Sequence, residues 1–258
     1  MNEKTAVTCD ADSLLRIALD VGDGMIKCGG EISRVEDTVE RICKAYGAVH
    51  VEVFSIMSLI VASVRMPDGS YASQTRRVRS ASNNFYKLEI YNGISRQICS
   101  ETPPLDEVDR MIKEKKTKKL YPLWLRPIAA ALVSSAFAIL FGGNLKDSLA
   151  AAVVGAIVIS VDIFWDRRIN EMAKTVLNSL VGGLLACIAA RLGLCDSVST
   201  VMIGTIMLHV PGLYFGTALR DLLCGDLLAG LLKTVQACLS TLMMAFGYLL
   251  AMIIVGGI

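Results

Sequence analysis

Ser197–Leu219 reads SVSTVMIGTIMLHVPGLYFGTAL, 23 residues without a formal charge, with His209-Val210-Pro211-Gly212 in the middle. A helix needs about 20 mostly apolar residues to cross the hydrocarbon core of a bilayer, so this stretch has the length and composition of a membrane span. Proline removes a backbone donor and clashes with the preceding turn, and glycine loosens the chain, so the span is expected to kink or break at Pro211-Gly212. Interrupted spans expose half-helix ends, which transporters use to hold charged groups or ions near the midplane. His209 is the one histidine in this half of the chain and can titrate near neutral pH. The plainer alternative is a packing kink beside a histidine remote from any pore, because Pro and Gly are common in membrane helices.

Working outward, Pro127–Leu145, Thr175–Ala190 and Thr234–Ile258 are also free of charge. From Leu123 onward, 136 residues carry 15 of the 50 Asp, Glu, Lys and Arg residues, while the first 122 carry 35. The expected fold is therefore a small α+β cytoplasmic domain over 1–120, followed by an α-helical polytopic membrane domain over 121–258. Five spans are predicted, near 123–142, 147–165, 173–192, 197–219 and 230–257. Lys113–Lys119 and Arg126 precede the first span, which puts that side in the cytoplasm by the positive-inside rule. Arg167, Arg168, Lys174, Arg220 and Lys233 then fall inside, the turns at Gly142–Asp147 and Gly193–Ser197 fall outside, and the C-terminus is outside. Trp124 and Trp165 sit at predicted interfaces. Small residues crowd the spans (Ala129–Ala131, Ser134, Ser135; Ala150–Ala152, Gly155, Ala156; Gly182, Gly183), as close helix packing in lipid requires.

The charged N-terminal part reads α-α-β-β-β-α-α. Leu14, Leu15, Ala18, Gly22, Met25 and Ile26 recur at helical spacing, with Asp12 or Ser13 as N-cap and Gly29-Gly30 as stop. Val35, Val39, Ile42, Cys43 and Tyr46 mark a second helix, with Ser33 and Glu36 spaced as a capping box. Alternation at Val49, Val51 and Val53 begins a strand. Ser58–Arg65 and Ser70–Val78 follow it, with Pro67-Asp68-Gly69 as a hairpin turn between them. Phe85–Ile98 returns to helical spacing, and Thr102-Pro103-Pro104 opens a last helix with Asp106 and Glu107 in its first turn and Lys113–Lys119 at its end.

Several chemistries find no support in these residues. The spacing of Gly22, Gly24, Gly29 and Gly30 is wrong for a dinucleotide loop, and no Walker, GxSxG or HExxH sequence occurs. No basic, aromatic-interleaved face suggests nucleic acid. The eight cysteines are scattered, without a CxxC pair, and read as small apolar fillers; no metal or cofactor is expected. Residues 1–20 include six charges without an apolar core, so no cleavable signal is expected. His50 stands alone on a strand, a position where a face residue is the ordinary case.

Charged groups at membrane depth are costly and usually functional. Arg220-Asp221-x-x-x-Gly225-Asp226 lies where the fourth span should emerge, so it reads either as a functional cluster or as an interfacial turn. Asp162 sits near the inner end of the second span, where it can snorkel. Glu31, Arg34, Glu36, Asp37, Glu40 and Arg41 form either a polar binding surface or a solvated helix face with i,i+4 pairs.

Gly30-Glu31-Ile32-Ser33-Arg34-Val35-Glu36 resembles the early signature of the threonine/serine exporter family. Pro211-Gly212 with Arg220-Asp221, Gly225-Asp226 and Gly230 resembles that family's PG…RD…GD…G motif. The likeness extends over about residues 12–258, and Lys233 stands where the family pattern has arginine. Long members fuse this region to a second membrane block and others are split. Ending at Ile258, this chain resembles the larger subunit of the split type. The resemblance implies a proton-driven exporter in the cell inner membrane, with a small membrane subunit of the same family as partner. Its substrate would be threonine and serine or a dicarboxylate such as succinate, and a homo-oligomer is compatible with the same features. On that reading the half-helix end at Pro211-Gly212, with Arg220, neutralises a substrate carboxylate, and His209, Asp221 or Asp226 carries the coupling proton. Gly30, Glu31, Arg34, Glu36 and Gly225 complete the expected motif positions.

Two alternatives come from other classes. A membrane-tethered sensor or scaffold would need no motif in its spans. An intramembrane aspartyl protease built on Asp162 and Asp226 lacks the expected glycine, since Leu223 stands there, and Val161 rather than tyrosine precedes Asp162.

Overall fold

The computed structural model describes residues 10–79, 83–115, 121–165 and 169–255. The sequence readings at residues 1–9, Lys116–Lys119, Arg167 and Arg168 lie outside them. The elements run α1 (Ala11–Lys27), α2 (Ile32–Ala45), β1 (His50–Ile56), β2 (Leu59–Arg65), β3 (Tyr71–Arg77), α3 (Phe85–Glu101), α4 (Leu105–Lys115), α5 (Leu125–Leu140), α6 (Leu145–Trp165), α7 (Glu171–Arg191), α8 (Val198–Ile206), α9 (Gly212–Cys224) and α10 (Leu227–Val255). They form two compact units. The first holds Met1–Lys118 together with Gly216–Lys233, and the second holds Lys119–Phe215 together with Thr234–Ile258.

In the first unit the element order follows the α-α-β-β-β-α-α reading. The cap of α1 is Asp10, whose carboxylate accepts from the backbone N–H of Asp12 (3.4 Å) and Ser13 (3.2 Å), so the helix begins earlier than Asp12 or Ser13 suggested. It stops as expected. Gly29 takes a positive φ of 84° and Gly30 N–H returns to the Met25 carbonyl at 2.9 Å. The expected capping box on α2 does not form. Glu31 is the N-cap residue and makes no side-chain cap bond, while Glu36 reaches across to β1 instead, where Ser55 N–H donates to it at 2.6 Å. A strand donor facing a carboxylate makes a charge-assisted bond, which outcompetes the helix's own end.

The three strands form an antiparallel meander in the order β1-β2-β3. Gly69 turns the β2–β3 hairpin at φ 87°, and Asp68 accepts from the Ser70 N–H at 2.9 Å. Ile60, Ala62 and Val64 alternate along β2 and are buried with Leu14, Ile17, Val21, Val35 and Ile94 of the helices. Burial of such side chains contributes roughly 1.5–3 kcal/mol each. Tyr91 lies across Gly24 so closely that a methyl group there would overlap its ring. Burial raises the Tyr91 phenol to about 12. Ala229 of α10 joins this core, which shows why residues from the far end of the chain belong to the first unit.

In the second unit α6, α7 and α10 are long and apolar enough to cross a membrane, while α5 is a shorter apolar helix of 16 residues. Leu145, Leu149, Val153 and Ile157 form an exposed ridge at i,i+4 spacing along α6, and Leu242, Leu249 and Ile253 are likewise exposed on α10. In water these faces would be costly; in lipid they are solvated. The opposite faces pack through small residues. A Cβ on Gly204 would sit 2.7 Å from the Ser134 carbonyl oxygen, so α8 and α5 approach backbone to backbone. The predicted fourth span is two helices, because α8 ends at Ile206 and α9 starts at Gly212.

Candidate functional site

The break in the fourth span follows from local chemistry. Pro211 offers no N–H, and the residue before a proline is pushed out of helical conformation. The last turn of α8 tightens, with Leu208 N–H bonding to the Thr205 carbonyl and His209 N–H to that of Ile206. His209 is thereby held in the gap. Both of its ring nitrogens are buried, and the ring faces the Thr205 carbonyl one turn back in α8. Pro211 and Gly212 lie in the second unit with it.

The other motif residues meet in the first unit. Arg220 Nη1 on α9 lies 2.6 Å from Glu31 Oε1, joining the two motifs across 189 residues of chain. Glu31 also has Arg34 at 3.9 Å, and Arg34 in turn reaches Asn92 Oδ1 at 3.4 Å. Asp221, 2% exposed, pairs with Lys233 Nζ at 2.5 Å. The α9–α10 turn makes this pairing available: Gly225 adopts φ 94°, Asp226 N–H bonds to the Asp221 carbonyl at 2.9 Å, and a Cβ on Gly230 would stand 2.6 Å from Leu222 Cγ. Asp226 Oδ2 is buried without a partner among the described residues. Burial raises the Glu36 carboxyl above its usual range; its bonds from Ser55 oppose this, and the charge of Asp226 adds to it. Gly30 faces the Met25 carbonyl oxygen, where a Cβ would lie at 2.9 Å.

Asp162 does not snorkel. Its carboxylate accepts from Asn178 Nδ2 at 2.7 Å and lies 3.0 Å from Lys174 Nζ. Sequence reasoning treated Lys174 only as a topology marker, yet the partnership had a signal. Asp162 lies three residues before the end of α6 and Lys174 three after the start of α7, so they are symmetric about the turn of an antiparallel hairpin. Asp147, 3% exposed, also went unnoticed. It accepts the N–H of Asp196 (2.8 Å) and Ser197 (2.9 Å), tying the α5–α6 turn to the start of α8. His50 is an exposed strand residue beside Glu52, as the plainer reading had it.

The family model of the threonine/serine exporters, ThrE, matches residues 16–255. "Probable succinate transporter subunit YjjP" of Klebsiella aerogenes is 23% identical over 254 residues, covering 97% of this chain and 95% of its own. Its namesake in Escherichia coli K12 is 22% identical over 248 residues, covering 95% of each. "Threonine/serine exporter" of Corynebacterium glutamicum is 22% identical over 227 residues, which are 82% of this chain and 45% of that protein. No solved structure matches the chain.

Proposed function

Because the chain belongs to the threonine/serine exporter family, we propose that it is the larger subunit of a two-component secondary exporter in the cell inner membrane. It works with a small membrane subunit of the same family and moves small carboxylate-bearing metabolites out of the cell, driven by protons. The first unit faces the cytoplasm and the C-terminus lies outside. The observation that carries this reading is the interrupted span at Met207–Pro211, where both ring nitrogens of His209 are buried in the gap between α8 and α9. Interrupted helices at membrane depth bring polar groups to a midplane site at low cost, because the freed backbone lines a passage. His209 and Asp226 are the proton-carrying candidates. The α9 N-terminus at Gly212 offers its dipole to a carboxylate. Arg220, bound to Glu31, acts by fixing α9 rather than by meeting substrate.

The test is efflux of labelled threonine, serine and succinate from cells with and without the partner subunit. His209→Ala and Asp226→Ala should each lower efflux at least tenfold with membrane levels unchanged. Undiminished efflux in both variants removes them from the mechanism.

A further inference from the structure

Tyr248 of α10 stands outside both family motifs, yet it is buried at the centre of the second unit. Its hydroxyl lies 3.0 Å from Thr205 Oγ1 of α8. Thr205 is fully buried, and the same Oγ1 lies 3.1 Å from the Val201 carbonyl oxygen and 2.9 Å from that of Met202. A threonine hydroxyl has one proton. Giving it to Tyr248 would leave Oγ1 against two carbonyl oxygens with no hydrogen between them. Thr205 therefore donates back into its own helix, and Tyr248 donates to Thr205. The backbone of Thr205 serves the break in the span. Its carbonyl accepts the Leu208 N–H at 3.2 Å and faces the His209 ring. One residue thus meets Tyr248 with its side chain and His209 with its carbonyl. The rest of α8 leaves little slack. Its start is tied down by Asp147, which accepts the N–H of Asp196 and Ser197, and Gly204 meets α5 backbone to backbone. Tyr248 is seated against α7, where a Cβ on Gly182 would stand 2.9 Å from the hydroxyl and one on Gly183 would stand 3.2 Å from Cδ1 of the ring. These two glycines admit the phenol where a larger residue would displace it.

We propose that Tyr248 is a positioning residue for His209: its hydroxyl, acting through Thr205, fixes the last turn of α8 so that the imidazole stands at the break in one orientation and one tautomer. This rests on the exporter reading, in which His209 is a proton carrier. A histidine that takes up and releases a proton must offer the same nitrogen in every cycle, and which nitrogen that is follows from what the other one meets. Misplacing such a group by about an ångström costs about a hundredfold in rate. The charges that act on the ring are Asp162 of α6 and Lys174 of α7. Elsewhere among the described residues of this unit, α8 carries no titratable side chain and α5 only Arg126 at its start. α9 brings Tyr214, and α10 brings Cys238 and Tyr248 itself. Removing the Tyr248 hydroxyl therefore leaves every charge around His209 in place, and its effect on the ring must come from geometry.

The test reads the imidazole directly. The chain has two histidines, so His50→Gln leaves His209 as the only source of ring signals when isotope-labelled histidine is incorporated and the full chain is purified through a tag free of histidine. In that background one neutral tautomer should dominate the nitrogen spectrum. Tyr248→Phe should mix the tautomers and move the midpoint of the ring titration by about half a unit or more. Thr205→Val should do the same, while Thr205→Ser keeps the hydroxyl and should keep the original spectrum. In cells with the partner subunit, efflux of labelled threonine, serine and succinate should fall at least tenfold in Tyr248→Phe and Thr205→Val at unchanged membrane level, and should survive in Thr205→Ser. Ring signals unchanged in Tyr248→Phe overturn the proposal, whatever happens to efflux. Altered ring signals with undiminished efflux uphold the positioning and overturn the proton role of His209, so the two failures are separable. If the variants fail to reach the membrane, the unaltered tyrosine decides: an even mixture of tautomers at His209 overturns the proposal, and a single one supports it.

Discussion

Single residues set the terms on which this chain tolerates change. Asp221 and Lys233 are both nearly inaccessible and face each other at 2.5 Å. Removing one partner of a buried pair leaves an uncompensated charge, at a cost of about 3–5 kcal/mol, whereas replacing both with apolar residues is often neutral. Asp221→Ala is therefore expected to lose folded protein from the membrane, and Asp221→Leu with Lys233→Met is expected to recover it; size-exclusion and melting profiles in detergent measure both. Loss of efflux in Asp221→Ala alone therefore says nothing about a proton. Glu36 makes a second case. Its carboxyl is raised by burial, so the folded chain holds that proton to higher pH than the unfolded chain does. The stability linked to it is present below the unfolded value and is lost as pH rises through the folded one. Glu36→Gln keeps an acceptor for Ser55 and should flatten that part of the melting-temperature profile; an unchanged slope would refute the assignment. Residue identities in the motifs were legible in the sequence, but their partners were not. Glu36 was assigned to its own helix because spacing alone cannot see a strand 19 residues later.

At the scale of elements, the sequence was most legible where one signal dominated. Helical periodicity located α1 and α2, Pro67-Asp68-Gly69 located the hairpin, and Pro211-Gly212 located the break. Span ends were less legible. α9 runs on to Cys224, past the end at 219 expected from charge, because Arg220 and Asp221 are neutralised by Glu31 and Lys233 and need not leave the helix. The α9–α10 corner depends on contact rather than on turn propensity alone. Gly230→Ala brings a methyl group within 2.9 Å of the Leu222 backbone nitrogen; overpacking of this kind costs about 1–3 kcal/mol, readable as a lower melting temperature. Pro211→Ala combined with Gly212→Ala lets α8 and α9 join. Efflux should fall at least tenfold at unchanged membrane level, as measured with labelled substrate, and normal efflux would detach the break from transport.

For the molecule as a whole, hydropathy separated charged from apolar residues but could not assign Gly216–Lys233, whose company is decided by packing. Their association with the N-terminal residues carries a consequence for biogenesis. The ribosome delivers residues 10–115 long before Arg220 and Ala229 emerge, so this part of the first unit must wait, with part of its core surface uncovered, until α10 is being made. Chains halted after residue 215 should accordingly be bound by chaperones and cleaved more readily between residues 10 and 115 than chains extended through α10. Maturation of the first unit thus reports that synthesis of α10 has begun, a check built into the order in which the chain is made.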